Sequence, residues 1–269
     1  MKPDLIIYYL HGGGFSMGSS YFYLEFLITL LTLLSSSTST SFTNPAILSL
    51  EYTLVPDATY PTQLHEALAG YAYAVRVMRG DASRVCVAGD SAGGTIVLSM
   101  LLRLGEIARE KNENGNGDGH SAFNAKAENE IECAGARDWR PGMAVLISPW
   151  ITLHLDPTTQ TPHTDAHTHT SDYLSPSRLQ HYARQYSGLS SDPLISPGLH
   201  THPTPWLTAS PLTGFHTTYG STEVLAPDIR AWTQMLRAGG VAVRTEVERG
   251  DVHAWPVAGL FWGPGRRRG

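Results

Sequence analysis

Ser91 sits in Gly89-Asp90-Ser91-Ala92-Gly93, a G-x-S-x-G pentapeptide whose serine type and spacing suit nucleophilic attack on a carbonyl carbon. A strand-like run, 84–88, precedes it, and apolar residues at helical spacing (Ile96, Val97, Met100, Leu101) follow. That flank pattern matters, because a strand–turn–helix elbow is what strains the serine backbone and lifts its hydroxyl clear of a sheet. A glycine-rich turn with an incidental serine is the plain alternative, and the flanks argue against it. His11-Gly12-Gly13-Gly14-Phe15 follows the first apolar run directly. Glycines there let backbone N–H groups close on an oxygen, and such donors stabilise the oxyanion of a tetrahedral intermediate. The expected donors are the N–H groups of Gly13, Gly14 and Ala92, the residue after the nucleophile. A phosphate loop is excluded: a dinucleotide fingerprint needs glycine where Met17 stands, and no Gly-Lys-Ser/Thr occurs. His11, on the same loop, reads as a structural hydrogen-bonder, since a base belongs across the site.

An activated serine needs a base, and the base needs a carboxylate, in the chain order serine, acid, histidine. Glu223 lies between a short strand at 216–219 and a helix, and His253 follows a strand at 241–248. Both fall at strand C-termini, where open α/β sheets carry their sites. Glu223 also suits the first turn of a helix, where the dipole favours a carboxylate. Asp228, five residues on, competes for the acid role, and the spacing alone leaves the two open.

The elements that must position these residues alternate in period. Residues 5–10 and 45–52 are continuous apolar runs, the pattern of strands buried on both faces. After Pro61, the residues Leu64, Ala67, Leu68, Tyr71, Val75 and Met78 recur at helical spacing up to Gly80. Strands at 84–88 and 143–148, helices from about 92 to 109 and from 225 to 236, and the alternating run 241–248 complete the series. Strand–helix alternation of this kind predicts one α/β domain, 1–269, on a mostly parallel sheet flanked by helices. Three stretches, at about 35–44, 111–138 and 155–171, are Ser/Thr-, Asn/Gly/Glu- or Thr/His/Pro-rich and read as insertions. Ser175-Pro176 opens a short helix within the irregular segment 151–205.

Composition removes several classes. The 269 residues hold 42% apolar side chains and only 16% charged ones, and 19 basic against 24 acidic residues give −5. The low charge fraction fits a heavily buried chain, and the balance offers no footprint for nucleic acid. Two cysteines, Cys86 and Cys133, cannot build a disulfide framework, and Cys86 reads as a small core residue. The most apolar stretch, 21–34, is interrupted by Glu25 and falls short of the roughly 20 residues a spanning helix needs. No signal peptide opens the chain, which leaves the cytoplasm as the default compartment. His163, His167 and His169 sit in a low-complexity tract without Cys or carboxylate partners at ligand spacing beyond Asp165, so no metal site is assigned. Arg266, Arg267 and Arg268 read as a solvated tail.

Taken together, the His11–Phe15 run, Gly89-Asp90-Ser91-Ala92-Gly93-Gly94, Tyr52-Thr53-Leu54-Val55-Pro56-Asp57 with Tyr60-Pro61, and Ser148-Pro149-Trp150 resemble the hormone-sensitive lipase group of α/β-hydrolases. The resemblance is to its microbial and fungal carboxylesterases above all, and it covers residues 4 to about 258 apart from the insertions. It implies the α/β-hydrolase fold, with Ser91 as nucleophile, Glu223 at the acid position that usually holds Asp, and His253 as base. It also implies Gly13, Gly14 and Ala92 as oxyanion donors, a small-molecule ester as substrate, and no cofactor or metal. Members of the group carry two further strands and cap helices before the HGGG strand and finish with a longer C-terminal helix. Their absence leads us to expect a partial cap at 151–205 and an incomplete gene product. The expected activity is hydrolysis of small to medium acyl esters through an acyl-enzyme. Its rivals are a catalytically silent binder of small molecules on the same fold and a truncated inactive chain.

Overall fold

The computed structural model describes residues 2–36, 42–114, 138–153, 172–188, 190 and 192–262. Most of the three insertions, Cys133, the histidine tract and the arginine tail lie outside these residues. Six strands, β1 (Leu5–Leu10), β2 (Pro45–Leu50), β3 (Val85–Asp90), β4 (Met143–Ile147), β5 (Phe215–Gly220) and β6 (Val243–Glu248), pair in the order β2-β1-β3-β4-β5-β6. Every pairing is parallel. Among the described residues, seven α-helices connect or flank them: α1 (Leu24–Ser36), α2 (Thr62–Val77), α3 (Ser91–Asn114), α4 (Pro176–Ser187), α5 (Thr204–Ala209), α6 (Ala226–Ala238) and α7 (Trp255–Trp262).

Strand composition follows position in the sheet. Central β1 and β3 are almost wholly buried, whereas β6, at one edge, is exposed apart from half-buried Val243 and Thr245 and reads Val-Arg-Thr-Glu-Val-Glu. Alternate residues of a strand face opposite ways, and the core divides accordingly. Ile6, Tyr8 and Leu10 pack with Val85, Val87, Ala144 and Leu146 beneath α2, α3, α5 and α6. Ile7 and Tyr9 pack on the other face with Ala88, Ile147, Leu27 of α1, and Ala254 and Val257 at the start of α7. Helix α3 is long and apolar enough over Ser91–Glu110 to cross a bilayer, yet that stretch lies mostly inside the protein as its core helix.

The expected elements form, with shifted bounds. The strand expected at 45–52 ends at Leu50, that at 241–248 begins at Val243, and α3 runs past residue 109 to Asn114. The stretch 21–34, read only as too short for a membrane, contains most of α1. An eight-residue helix, α7, follows His253. The order of strands creates the site: after β1 the chain moves outward to β2, then crosses back to β3 on the far side of β1. Loops leaving the C-terminal ends of β1 and β3 therefore diverge at a switch point, where doubly wound sheets leave a crevice.

Candidate active site

Both glycine motifs open at that switch point. Ser91 is the first residue of α3, 8% exposed, with φ +50°, a left-handed conformation that is costly for a residue with a Cβ. Gly93 makes the elbow possible, since a Cβ there would run into the carbonyl oxygen of Leu10 at the end of β1. Ala92 is the second residue of α3, where a backbone N–H has no intrahelical acceptor. In the loop after β1, Gly13 (φ +110°) and Gly14 (φ +60°) take conformations that favour glycine, and a Cβ on Gly13 would strike the carbonyl of Met17. The Gly13 carbonyl accepts from Ser16 and Met17, while the N–H groups of Gly13 and Gly14 enter none of the turn hydrogen bonds.

The glycine loop is held by Asp90, a residue the sequence reading gave no role. Its Oδ1 accepts from Tyr9 Oη at 2.8 Å and from the Gly12 N–H at 2.9 Å, and Oδ2 accepts from Tyr23 Oη at 2.8 Å. Burial pushes the Asp90 carboxyl up to about 6, with the three donors pulling the other way. His11 behaves as expected: its Nδ1–H donates to the Gly12 carbonyl at 2.8 Å, and its ring stacks on Tyr52 at 4.3 Å. Burial lowers its pKa, which keeps the ring neutral.

Glu223 and His253 come from the loops after β5 and β6, and both are 3% exposed. Glu223 is not a helix-capping carboxylate, because α6 begins at Ala226 and Glu223 Oε2 turns back to accept from the Gly220 N–H at 3.1 Å. Asp228 lies in the first turn of α6 and is half-buried. Ser148, fully buried in the loop after β4, joins the two loops: its Oγ donates to Glu223 Oε2 at 2.6 Å and accepts from the Ala254 N–H at 2.9 Å. The sequence showed Ser148 only as part of a motif. Its neighbour Trp150 donates its N–H to the Ser91 carbonyl at 3.1 Å, and the Trp150 carbonyl accepts from Thr95 Oγ1 at 2.6 Å. The Ser148-Pro149-Trp150 turn thus touches both the Ser91 elbow and the Glu223 loop.

Among the described residues, no hydrogen bond joins Glu223 to His253: Glu223 Oε1 and His253 Nδ1 are both buried without a partner. Each is consequently pushed toward its neutral form: burial raises Glu223 to about 8 and lowers His253 to about 3. A charged carboxylate beside a charged imidazole would favour the ionised form of each, the opposite of what burial does.

Helix α4 roofs the glycine loop. Tyr182 lies so close to Gly14 that a Cβ there would be 2.9 Å from its ring, and Tyr186 stacks on Phe15 at 3.8 Å and 7°. Among the described residues, no group of three or more His, Cys, Asp and Glu side chains has a metal-binding arrangement.

Comparison with known proteins agrees with the fold. The chain is 32% identical over 105 residues to hormone-sensitive lipase of Bos taurus, covering 38% of this chain and 13% of that protein. It is 30% identical over 112 residues to neutral cholesterol ester hydrolase 1 of Pongo abelii, covering 40% and 26%. The match therefore spans a minor part of the length of these relatives. Among solved structures, an esterase from the bacterial hormone-sensitive lipase family superposes with TM-score 0.67 at 25% identity, covering 96% of this chain and 71% of that one. Carboxyl esterase 2 of the mycorrhizal fungus Tuber melanosporum has the same fold, with TM-score 0.71, 17% identity, and coverage of 97% and 74%. The sequence model of the family described as alpha/beta hydrolase fold matches residues 7–257, and with these relatives it places the chain in that family, within its hormone-sensitive lipase group.

Proposed function

We propose that the chain is a serine carboxylesterase, and that Ser91, His253 and Glu223 are its triad. Ser91 Oγ attacks the ester carbonyl and passes its proton to His253 Nε2. The tetrahedral oxyanion is held by the N–H groups of Gly13, Gly14 and Ala92. Collapse of the intermediate transfers the proton from His253 to the leaving alkoxide and leaves an acyl-enzyme. Water, deprotonated by His253, then releases the acid and restores Ser91. Glu223 holds the imidazole tautomer and stabilises the imidazolium; a glutamate carries the same charge as the aspartate usual at that position. Side chains, backbone N–H groups and water suffice for every step.

The observation that carries this reading is the strained Ser91 backbone at the mouth of β3, beside a glycine loop whose Gly13 and Gly14 N–H groups enter no backbone turn bond among the described residues. Tyr182 against Gly14 supports small to medium acyl chains, because α4 lies directly over the oxyanion loop. We read 151–205 as a partial cap on a single domain, 1–269. The test is hydrolysis of p-nitrophenyl butyrate by purified protein. Ser91→Ala should lower kcat by about 10⁴-fold or more, in line with removal of other triad nucleophiles, and an unchanged rate would refute the mechanism.

The open link between Glu223 Oε1 and His253 Nδ1 favours a second reading, a silent small-molecule binder on the same fold. Such a protein would bind esters without turnover.

A further inference from the structure

Asp172 and Tyr173, which take no part in the steps above, hold the base loop by its main chain. Asp172 Oδ1 accepts from the His253 N–H at 3.3 Å, and Oδ2 accepts from the Val224 N–H at 2.7 Å. Tyr173 Oη donates to the His253 carbonyl at 3.1 Å, and its ring stands edge-on to the imidazole, centroids 5.9 Å apart at 63°. One dipeptide thus takes both backbone polar groups of His253 and an edge of its ring. The same carboxylate ties down the residue after Glu223, so a single side chain spans the acid loop and the base loop.

Among the described residues His253 Nδ1 has no hydrogen-bond partner, so before Glu223 engages it the direction of the ring depends on the backbone from which it projects. We propose that Asp172 and Tyr173 clamp the His253 main chain and are positioning residues for its imidazole. This inference rests on the triad reading. The negative charge of Asp172 also faces the Glu223 carboxyl and is one of the influences that raise its pKa, after burial, which dominates.

The test compares wild type, Asp172→Asn and Tyr173→Phe for kcat and KM on p-nitrophenyl butyrate across about pH 5 to 9, with a thermal melt of each. Asp172→Asn keeps the shape but places an amide nitrogen either against the Tyr173 and His253 N–H groups or against the Val224 N–H. It should lower kcat by about 10- to 100-fold, as loss of ångström-scale alignment does, with KM within about twofold. Its acid limb should move to lower pH, because removing the charge lets Glu223 ionise sooner. Tyr173→Phe keeps the ring and loses one hydrogen bond; it should lower kcat by about 3- to 10-fold and leave the limb in place. A structural role alone would shift the melt without this split. An active wild type, with both variants at wild-type kcat and no shift of the limb, overturns the clamp alone. Should Asp172→Asn not fold, Tyr173→Phe decides by itself: wild-type kcat with an unchanged melt overturns the clamp. A wild type that neither hydrolyses the ester nor labels at Ser91 overturns the triad, and the clamp with it.

Discussion

At the scale of single residues, buried polar side chains hold the glycine loop and the acid in place. Asp90 is the acceptor for two buried phenols and the Gly12 N–H, and the loop it anchors carries the proposed oxyanion donors. Asp90→Ala leaves those three donors without their acceptor, at roughly 1–3 kcal/mol each, while relieving the burial of a carboxyl. The net expectation is a loss of about 2–4 kcal/mol in a denaturant melt, together with a fall in kcat. Ser148→Ala is a narrower test of the acid. It removes the donor to Glu223 Oε2 and the acceptor of the Ala254 N–H, so Glu223 should ionise at still higher pH. The acid limb of kcat/KM should shift upward, and an unmoved limb would show that the Ser148 hydroxyl does not act on Glu223. These roles were not legible in the sequence. Asp90 and Gly12 are 78 residues apart, Ser148 and Glu223 75, Asp172 and His253 81, and no local spacing encodes such pairs. The serine elbow and the glycine loop were legible because strained backbone demands glycine at fixed, nearby offsets.

At the scale of elements, α3 and α4 do different work. Helix α3 starts on Ser91 and is pinned against the end of β1 by the close approach at Gly93. Helix α4 covers the loop opposite, with Tyr182 on Gly14 and Tyr186 on Phe15. Tyr182→Ala should open space above the oxyanion loop. Relative to the acetate ester, kcat/KM for octanoate should rise; an unchanged acyl-chain profile would mean that α4 does not set chain length. The central strands were readable as continuous apolar runs because helices bury both of their faces. Helix α1 was not readable as a helix: Leu24, Ile28 and Leu33 are exposed while Leu27 is buried, so its sequence is apolar on both sides and lacks amphipathic contrast. Helix α4 was legible through Ser175, which accepts from the Arg178 N–H, and Pro176 at the first turn.

At the scale of the whole molecule, a sheet that changes direction between β1 and β3 gathers four loops, after β1, β3, β5 and β6, at the same ends of parallel strands. Burying ionisable groups there has a consequence for stability against pH. Glu223 is raised from 4.5 to about 8, so the folded state holds its proton more tightly than the unfolded chain; its contribution is complete below pH 4.5 and is lost as pH rises through about 8. His253 is lowered from 6.5 to about 3, so its contribution is complete above pH 6.5 and is lost as pH falls toward 3. Asp90, raised to about 6, has ceased to contribute above that pH. Between about pH 6.5 and 8.5 the slope left by these three groups is that of Glu223, about 2 kcal/mol, or roughly 4–8 °C in Tm. Wild-type Tm should fall across that window and the Glu223→Gln Tm should stay flat; parallel curves for the two proteins would remove Glu223 as the cause. The most direct test of the central claim is covalent. Wild type, Ser91→Ala and His253→Gln are treated with a fluorophosphonate and examined by intact-mass and peptide mass spectrometry. The triad predicts one adduct on wild type, mapped to Ser91, none on Ser91→Ala, and labelling of His253→Gln slowed by about 10³-fold or more. An unlabelled, folded wild type, or an adduct that persists in Ser91→Ala, would contradict it.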